Sequence, residues 1–229
     1  MSGFVSAVIV AAGSSTRMGL EKSKQFIDLC GRTVIERTLS AFETAAIIDS
    51  VVVVCRDSDK AEMSSLIEQN GFAKVRALVP GGSTRDESVK NGVLACDGRT
   101  THLAIHDGAR PLIQSADIEN VVKAAFECGA AALGTLVTDT IKLVDGDNII
   151  VSTPRRADLR AVQTPQVFEK SLYLRALEHG DSEGITDDCQ LVESIGGRVK
   201  IIISQGQNIK LTTREDIKTA QMIIRERGE

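Results

Sequence analysis

"VIVAAGSSTRMG", residues 8–19, runs from apolar and small residues into a glycine, then through Ser14, Ser15, Thr16, Arg17 and Met18 to a second glycine. A strand that ends this way can lay its loop N–H groups against a phosphate, and a guanidinium in the loop can neutralise the phosphate charge. The stretch therefore reads as a buried strand followed by an anion-binding loop. Gly13 and Gly19, with five residues between them, satisfy neither G-x-G-x-x-G nor a loop ending in G-K-[ST]. Taken alone, the same residues also fit an ordinary strand-to-helix turn with a surface arginine.

Outward from this stretch, short β-branched runs alternate with helical patterns. Residues 5–12, 51–55, 75–79 and 102–106 read as strands, and 33–42, 58–70 and 84–96 as helices between them. Such alternation predicts βαβ units in an α/β, Rossmann-like, mostly parallel sheet with helices on both faces. Thr33-x-x-Glu36 and Thr84-x-x-Glu87 have the form of capping boxes, and Thr213-x-x-Asp216 is a shorter relative. A helix over 115–128 shows Ile118, Val121, Val122 and Ala125 on one face and stops at Gly129. The rhythm changes near Thr135. Residues 139–156 place two β-rich runs around Asp145-Gly146-Asp147-Asn148, which predicts a protruding hairpin arm inserted within a single domain spanning 1–229. A two-stranded hairpin alone is marginal in water, so the arm must pack on something. Helices from about Glu169 and Asp187, a strand over 199–204 and a last helix after Thr213 complete the pattern.

Composition narrows the function classes. With 229 residues, 25% of them charged, and a mean hydropathy of +0.00, the chain has the makeup of a globular protein with one sizeable core. The net charge of −4 gives no overall basic field for nucleic acid or an anionic membrane. Aromatics are 3% with no Trp, too few for base-stacking platforms. Five scattered cysteines, odd in number, suggest reduced packed thiols rather than disulfides or a zinc site. A strand beginning near residue 5 leaves no room here for a signal peptide, and no apolar run reaches the ~18 residues of a membrane span. A cytoplasmic enzyme or binding protein is expected.

In open parallel sheets, ligands bind beyond the carboxyl ends of the strands. Four polar loops fall there: GSSTRMG with Lys22 and Lys24, then PGGSTRDES, HDGARP and QGQNIKLT. Together they would bring Arg17, Lys24, Arg85, Arg110 and Lys210 to one rim, with Asp107 as the clear counter-charge. Like charges so gathered in an acidic protein point to an anionic ligand. His102, His106 and His179 lack metal-ligand spacing, and His106 at a strand end reads as structural rather than as a general base. Neither G-x-S-x-G nor C-x-x-C occurs, so the rim suggests electrostatic catalysis on phosphate.

The motifs AAGSSTRMG, KQF, GGSTRDESV, HDGARP, TPQVF, ITDD and NIKLT, in this order over nearly the whole chain, resemble the 2-C-methyl-D-erythritol 4-phosphate cytidylyltransferase family of the non-mevalonate isoprenoid pathway. The resemblance implies a homodimeric, Mg2+-dependent enzyme that joins CTP to that polyol phosphate and releases pyrophosphate. It implies that Ala11, Ala12, Gly13 and Arg17 wrap the CTP phosphates and ribose, and that Lys24 sits on the α-phosphate. Gly82, Arg85 and Ser88 would form the cytosine pocket. Asp107 would lie between ribose, metal and substrate, with Gly108 beside it against the nucleotide. Arg110, Thr186 and Lys210 would hold the polyol phosphate, with Thr140 and Arg156 arriving from the partner's arm. By the same resemblance, Arg17, Lys24 and Lys210 are the expected catalytic cations.

Two departures stand out: Ser23 replaces the family's usual proline, which would loosen the lysine loop, and QGQNIK is short before Lys210. The related family that uses ribitol 5-phosphate shares the CTP motifs, and the AAGSSTRMG form of the first loop favours the methylerythritol substrate. A non-catalytic nucleotide sensor would have no use for cations at the α-phosphate, and a nicotinamide enzyme would need the missing glycine fingerprint.

Overall fold

The computed structural model describes residues 3–13, 23–180, 185–204 and 206–228. In chain order its strands are β1 (Val5–Val10), β2 (Asp28–Leu29), β3 (Arg32–Thr33), β4 (Ser50–Cys55), β5 (Val75–Pro80), β6 (His102–Asp107), β7 (Ala130–Leu136), β8 (Leu143–Val144), β9 (Ile150–Ser152), β10 (Arg160–Glu169) and β11 (Lys200–Ile203). The helices are α1 (Val34–Thr44), α2 (Lys60–Asn70), α3 (Arg85–Leu94), α4 (Ser115–Cys128), α5 (Lys170–His179), α6 (Asp188–Ser194) and α7 (Arg214–Arg227).

The main sheet has seven strands in the order β11-β7-β10-β6-β1-β4-β5. β1 pairs in parallel with β4 and β6, β4 with β5, and β11 with β7. β10 alone runs antiparallel, against both β6 and β7. A parallel return needs a crossover of a dozen residues or more, usually a helix. The segment between β7 and β10 has strands and a short 3-10 turn instead, and the chain comes back antiparallel.

Both faces of the sheet are buried, which explains why the central strands read as near-continuous apolar runs. Val5, Ala7, Ile9, Val51 and Val53 pack on one side with Leu39 and Phe42 of α1, Met63 of α2, and Ile118 and Val121 of α4. Val8, Val54, Leu103 and Ile105 pack on the other with Val89 and Val93 of α3, Tyr173 of α5 and Val192 of α6. Ser6 is one of the buried polar residues of the sheet, and its hydroxyl is satisfied at 2.7 Å by Ser50 and 2.6 Å by Thr100. α7 closes a smaller cluster of Leu29, Val34, Leu112 and Leu211 below the β2–β3 turn.

Local signals set the element ends. Thr33 and Glu36 form a reciprocal capping box, and so do Thr213 and Asp216. Thr84 caps α3 through the Glu87 N–H, but the Glu87 carboxylate turns to Ser83 instead, so that box is only half made. Gly129 ends α4 with φ +82, the left-handed conformation that glycine adopts without strain. β1 stops at Val10 rather than at Ala12, and a 3-10 turn over Asp57–Asp59 takes the first residues expected of α2.

The arm is present as the antiparallel pair β8–β9. Its turn is tied by Asp145, whose Oδ1 accepts from the N–H groups of Asp147 at 3.0 Å and Ile149 at 2.9 Å. Its apolar residues face outward: Leu143, Val144, Ile149, Ile150 and Val151 are all exposed.

Candidate active site

Because β1, β4, β5, β6, β7 and β11 share one direction, their carboxyl ends lie along one edge of the sheet. Two cavities open there. One, of about 570 Å3, is lined by Ala12, Gly13, Lys24, Gly82, Arg85, Ser88, Asp107 and Lys210, among others. The second, of about 510 Å3, is lined by Arg85, Asp107, Arg110, Gln163, Thr186 and Lys210, among others. Arg85, Asp107 and Lys210 border both.

The first cavity owes its shape to close backbone approach. A side chain at Gly81 would collide with Ala12 in the loop after β1, and one at Gly82 with Glu87. The loop is fixed from inside by Ser88, whose Oγ accepts from the Gly82 N–H at 3.0 Å and donates to the Thr84 carbonyl at 2.9 Å. Ala11 and Gly108 brace the floor instead of lining it: Ala11 donates to the Val54 carbonyl at 2.7 Å and Gly108 to the Val10 carbonyl at 2.9 Å. Lys24 opens a 3-10 turn and its Nζ donates to the Leu211 carbonyl at 3.1 Å. Ser23, expected to loosen this loop, is buried with φ −58, an angle that proline also adopts, and its side chain accepts from the Gln25 N–H.

Asp107, at the end of β6, is the electrostatic centre. It is 8% exposed, and its carboxylate lies 2.7 Å from Lys210 Nζ, 3.6 Å from Arg110 Nε and 3.7 Å from Arg85 Nε. Burial opposes ionisation, but Lys210 and then Arg85 overcome it and hold the carboxyl down at about 2. Arg110 Nη1 donates to the Asn208 carbonyl at 2.8 Å, and Asn208 Nδ2 in turn donates to the Thr164 carbonyl at 2.9 Å. The segment leading to Lys210, short as it is, is thus pinned at Asn208 to the loop after β6 and to β10.

The expectation that Asp107 alone offsets the cations needs correction. Asp188, at the start of α6, accepts from Arg85 Nη2 at 2.7 Å. Asp188 lies in the quoted ITDD segment, but no spacing rule links it to Arg85, 103 residues away. Thr140 and Arg156 do not line either cavity; both lie exposed on the arm, where Arg156 Nη1 donates to the Thr138 carbonyl at 2.6 Å. Arg17 and Lys22 lie outside the described residues.

His106 is structural, as its position in the sequence suggests. It is 0% exposed, contacts Thr164 Oγ1 at 3.0 Å through Nδ1, and packs against Phe42. Burial drives its pKa down to about 3. The unfolded chain, with a histidine near 6.5, therefore takes up this proton first, and the stability is complete above pH 6.5 and lost as pH falls towards 3. At pH 5 the expected loss is about 2 kcal/mol. Urea unfolding at pH 7 and pH 5 checks this: His106→Gln should flatten the difference by that amount, and an unchanged difference would contradict it.

Among the described residues, no helix is long and apolar enough to cross a membrane, and no group of three or more His, Cys, Asp or Glu side chains could hold a metal ion unaided.

The family model for 2-C-methyl-D-erythritol 4-phosphate cytidylyltransferase matches residues 5–226. A protein of that name from Desulforamulus reducens is 42% identical over 229 residues, covering 99% of this chain and 98% of that protein. Another, from Caldanaerobacter subterraneus subsp. tengcongensis, is 42% identical over 224 residues, covering 96% and 99%. Among solved structures, the 4-diphosphocytidyl-2C-methyl-D-erythritol synthase of Anaerococcus prevotii superposes with a TM-score of 0.87 at 31% identity, covering 98% of this chain and 97% of that one. The chain belongs to the 2-C-methyl-D-erythritol 4-phosphate cytidylyltransferase family.

Proposed function

We propose that this chain transfers the cytidylyl group of CTP to 2-C-methyl-D-erythritol 4-phosphate, giving 4-diphosphocytidyl-2-C-methyl-D-erythritol and pyrophosphate. The single observation that carries this reading is the meeting of two polar cavities at Arg85, Asp107 and Lys210. Two phosphorylated substrates, one in each cavity, would come together at that boundary.

An oxygen of the polyol phosphate attacks the α-phosphorus of CTP in line, and the bond to the β-phosphate bridging oxygen breaks as pyrophosphate leaves. A phosphate monoester is already ionised at neutral pH, so the chain need not supply a strong base. Its task is to hold two polyanions together and to stabilise charge developing between them. In this reading Lys24 and Arg17 take the triphosphate, while Gly82, Arg85 and Ser88 shape the pocket for the base. Arg110, Thr186 and Lys210 take the polyol phosphate. Lys210, 2.7 Å from the Asp107 carboxylate, is a charge that the polyol phosphate would share.

Asp107 fits a role as a Mg2+ ligand, because it brings a hard-oxygen carboxylate to the boundary of both cavities and Mg2+ is commonly held by one or two carboxylates with substrate phosphates. When bound, Mg2+ would neutralise phosphate charge as the transfer proceeds. We place the reaction in the cytoplasm, in keeping with five unbridged cysteines. The arm we assign to a homodimer: its exposed apolar residues need a cover, and a reciprocal exchange would bring Thr140 and Arg156 to the neighbour's second cavity.

The test is pyrophosphate release with CTP, Mg2+ and each candidate polyol phosphate. Turnover should require all three components and favour the methylerythritol phosphate. Equal or better turnover of ribitol 5-phosphate would overturn the substrate, and no turnover with either would overturn the transfer reaction.

A further inference from the structure

Arg85 is held by one carboxylate and faces another. Its Nη2 donates to Asp188 at 2.7 Å and its Nε lies 3.7 Å from Asp107, while its Nη1 is buried and finds no hydrogen-bond acceptor among the described residues. A buried donor without an acceptor is costly unless a ligand supplies one. The Arg85 side chain lines both cavities, so a nucleotide bound in the first would lie against the guanidinium.

What fixes the direction of that donor lies behind it. Asp188 is 4% exposed, and its other oxygen accepts at 2.6 Å from Tyr173, the chain's single tyrosine, itself 1% exposed. The helix that presents Asp188 is locked in place by Gln166 of β10, which donates to Asp187 at 2.9 Å and accepts from the Cys189 N–H at 3.2 Å. Burial and then the Asp188 charge push the Tyr173 hydroxyl well above its usual range, so it stays a donor to that carboxylate.

We propose that Asp188, oriented by Tyr173, is a positioning residue that holds the Arg85 guanidinium against the CTP cavity and keeps it from collapsing onto Asp107. Without Asp188, the strongest remaining partner of Arg85 is Asp107, and a closer pair there would turn Nη1 away and compete with Lys210. This inference rests on the reading of the first cavity as the CTP site.

A double-mutant cycle tests it, with CTP affinity measured by calorimetry without polyol phosphate, alongside kcat, KM and thermal melting. In the parent enzyme, Asp188→Asn should weaken CTP binding about tenfold or more, and Tyr173→Phe should do so by a few fold. In an Arg85→Gln background, either change should alter CTP affinity by less than about twofold, although any loss of melting temperature persists. Equal weakening in both backgrounds would overturn the proposal, because Asp188 would then act independently of Arg85. So would unchanged CTP affinity in the folded Asp188→Asn enzyme. If Asp188→Asn does not fold, the Tyr173→Phe arm decides by the same criteria. An unmodified enzyme that neither binds nor uses CTP would instead refute the function, and this inference with it.

Discussion

Lys24→Ala is expected to lower kcat by about 10²–10³ while changing CTP affinity far less. The reason is placement. Lys24 lines the first cavity and rests its ammonium against the Leu211 carbonyl, next to the Lys210–Asp107 pair, where charge would build as the α-phosphate is transferred. A cation that interacts more strongly with the transition state than with bound CTP acts on kcat, whereas one that binds both equally acts on KM. Lys22→Ala should have a much smaller effect. Steady-state kinetics with both substrates separates these cases, and a large rise in KM for CTP with kcat intact would move the catalytic lysine elsewhere.

The second large effect concerns the arm. Arg156→Ala should nearly abolish turnover although Arg156 lines neither cavity of its own chain. Refolding Lys24→Ala together with Arg156→Ala distinguishes action across an interface from action within one chain. If Arg156 serves the neighbour, half of the dimers are mixed and one of their two sites keeps both groups, so activity should return to about a quarter of the unmodified level. If it serves its own chain, every site lacks one of them. Mixed dimers confirmed by mass and showing no recovery would exclude a shared site.

The parallel part of the fold was legible because its strands are buried on both faces and are rich in β-branched residues, as in VVVVC of β4. In the main sheet, β7 and β10 carry weaker signals in the sequence for physical reasons. β7 is AAALGTL, built of alanines and a glycine that disfavour strands in isolation and are tolerated here because the strand is packed on both sides. β10 contains Pro165 and two glutamines, and a proline argues against a central strand. The structure places that proline within the register shift between Val162 and Gln166, where the ladder to β7 is broken anyway.

The site followed the same rule. Arg85, Asp107 and Lys210 were predictable because strand ends in a parallel sheet converge whatever their separation in sequence. The Tyr173–Asp188–Arg85 contacts were not, since they depend on how α5 and α6 pack over β10. The N–H groups of Ala11 and Gly108 are taken up by the Val54 and Val10 carbonyls, a pairing that follows from the strand register and not from any local motif.

The most direct test of the transfer reaction follows the fate of the α-phosphorus. With CTP radiolabelled at the α-phosphate, together with Mg2+ and 2-C-methyl-D-erythritol 4-phosphate, the label should appear in a product containing both cytidine and the polyol, while the pyrophosphate released carries none. Label recovered as free CMP, or left entirely in CTP under conditions where the folded enzyme binds both substrates, would contradict cytidylyl transfer at this site.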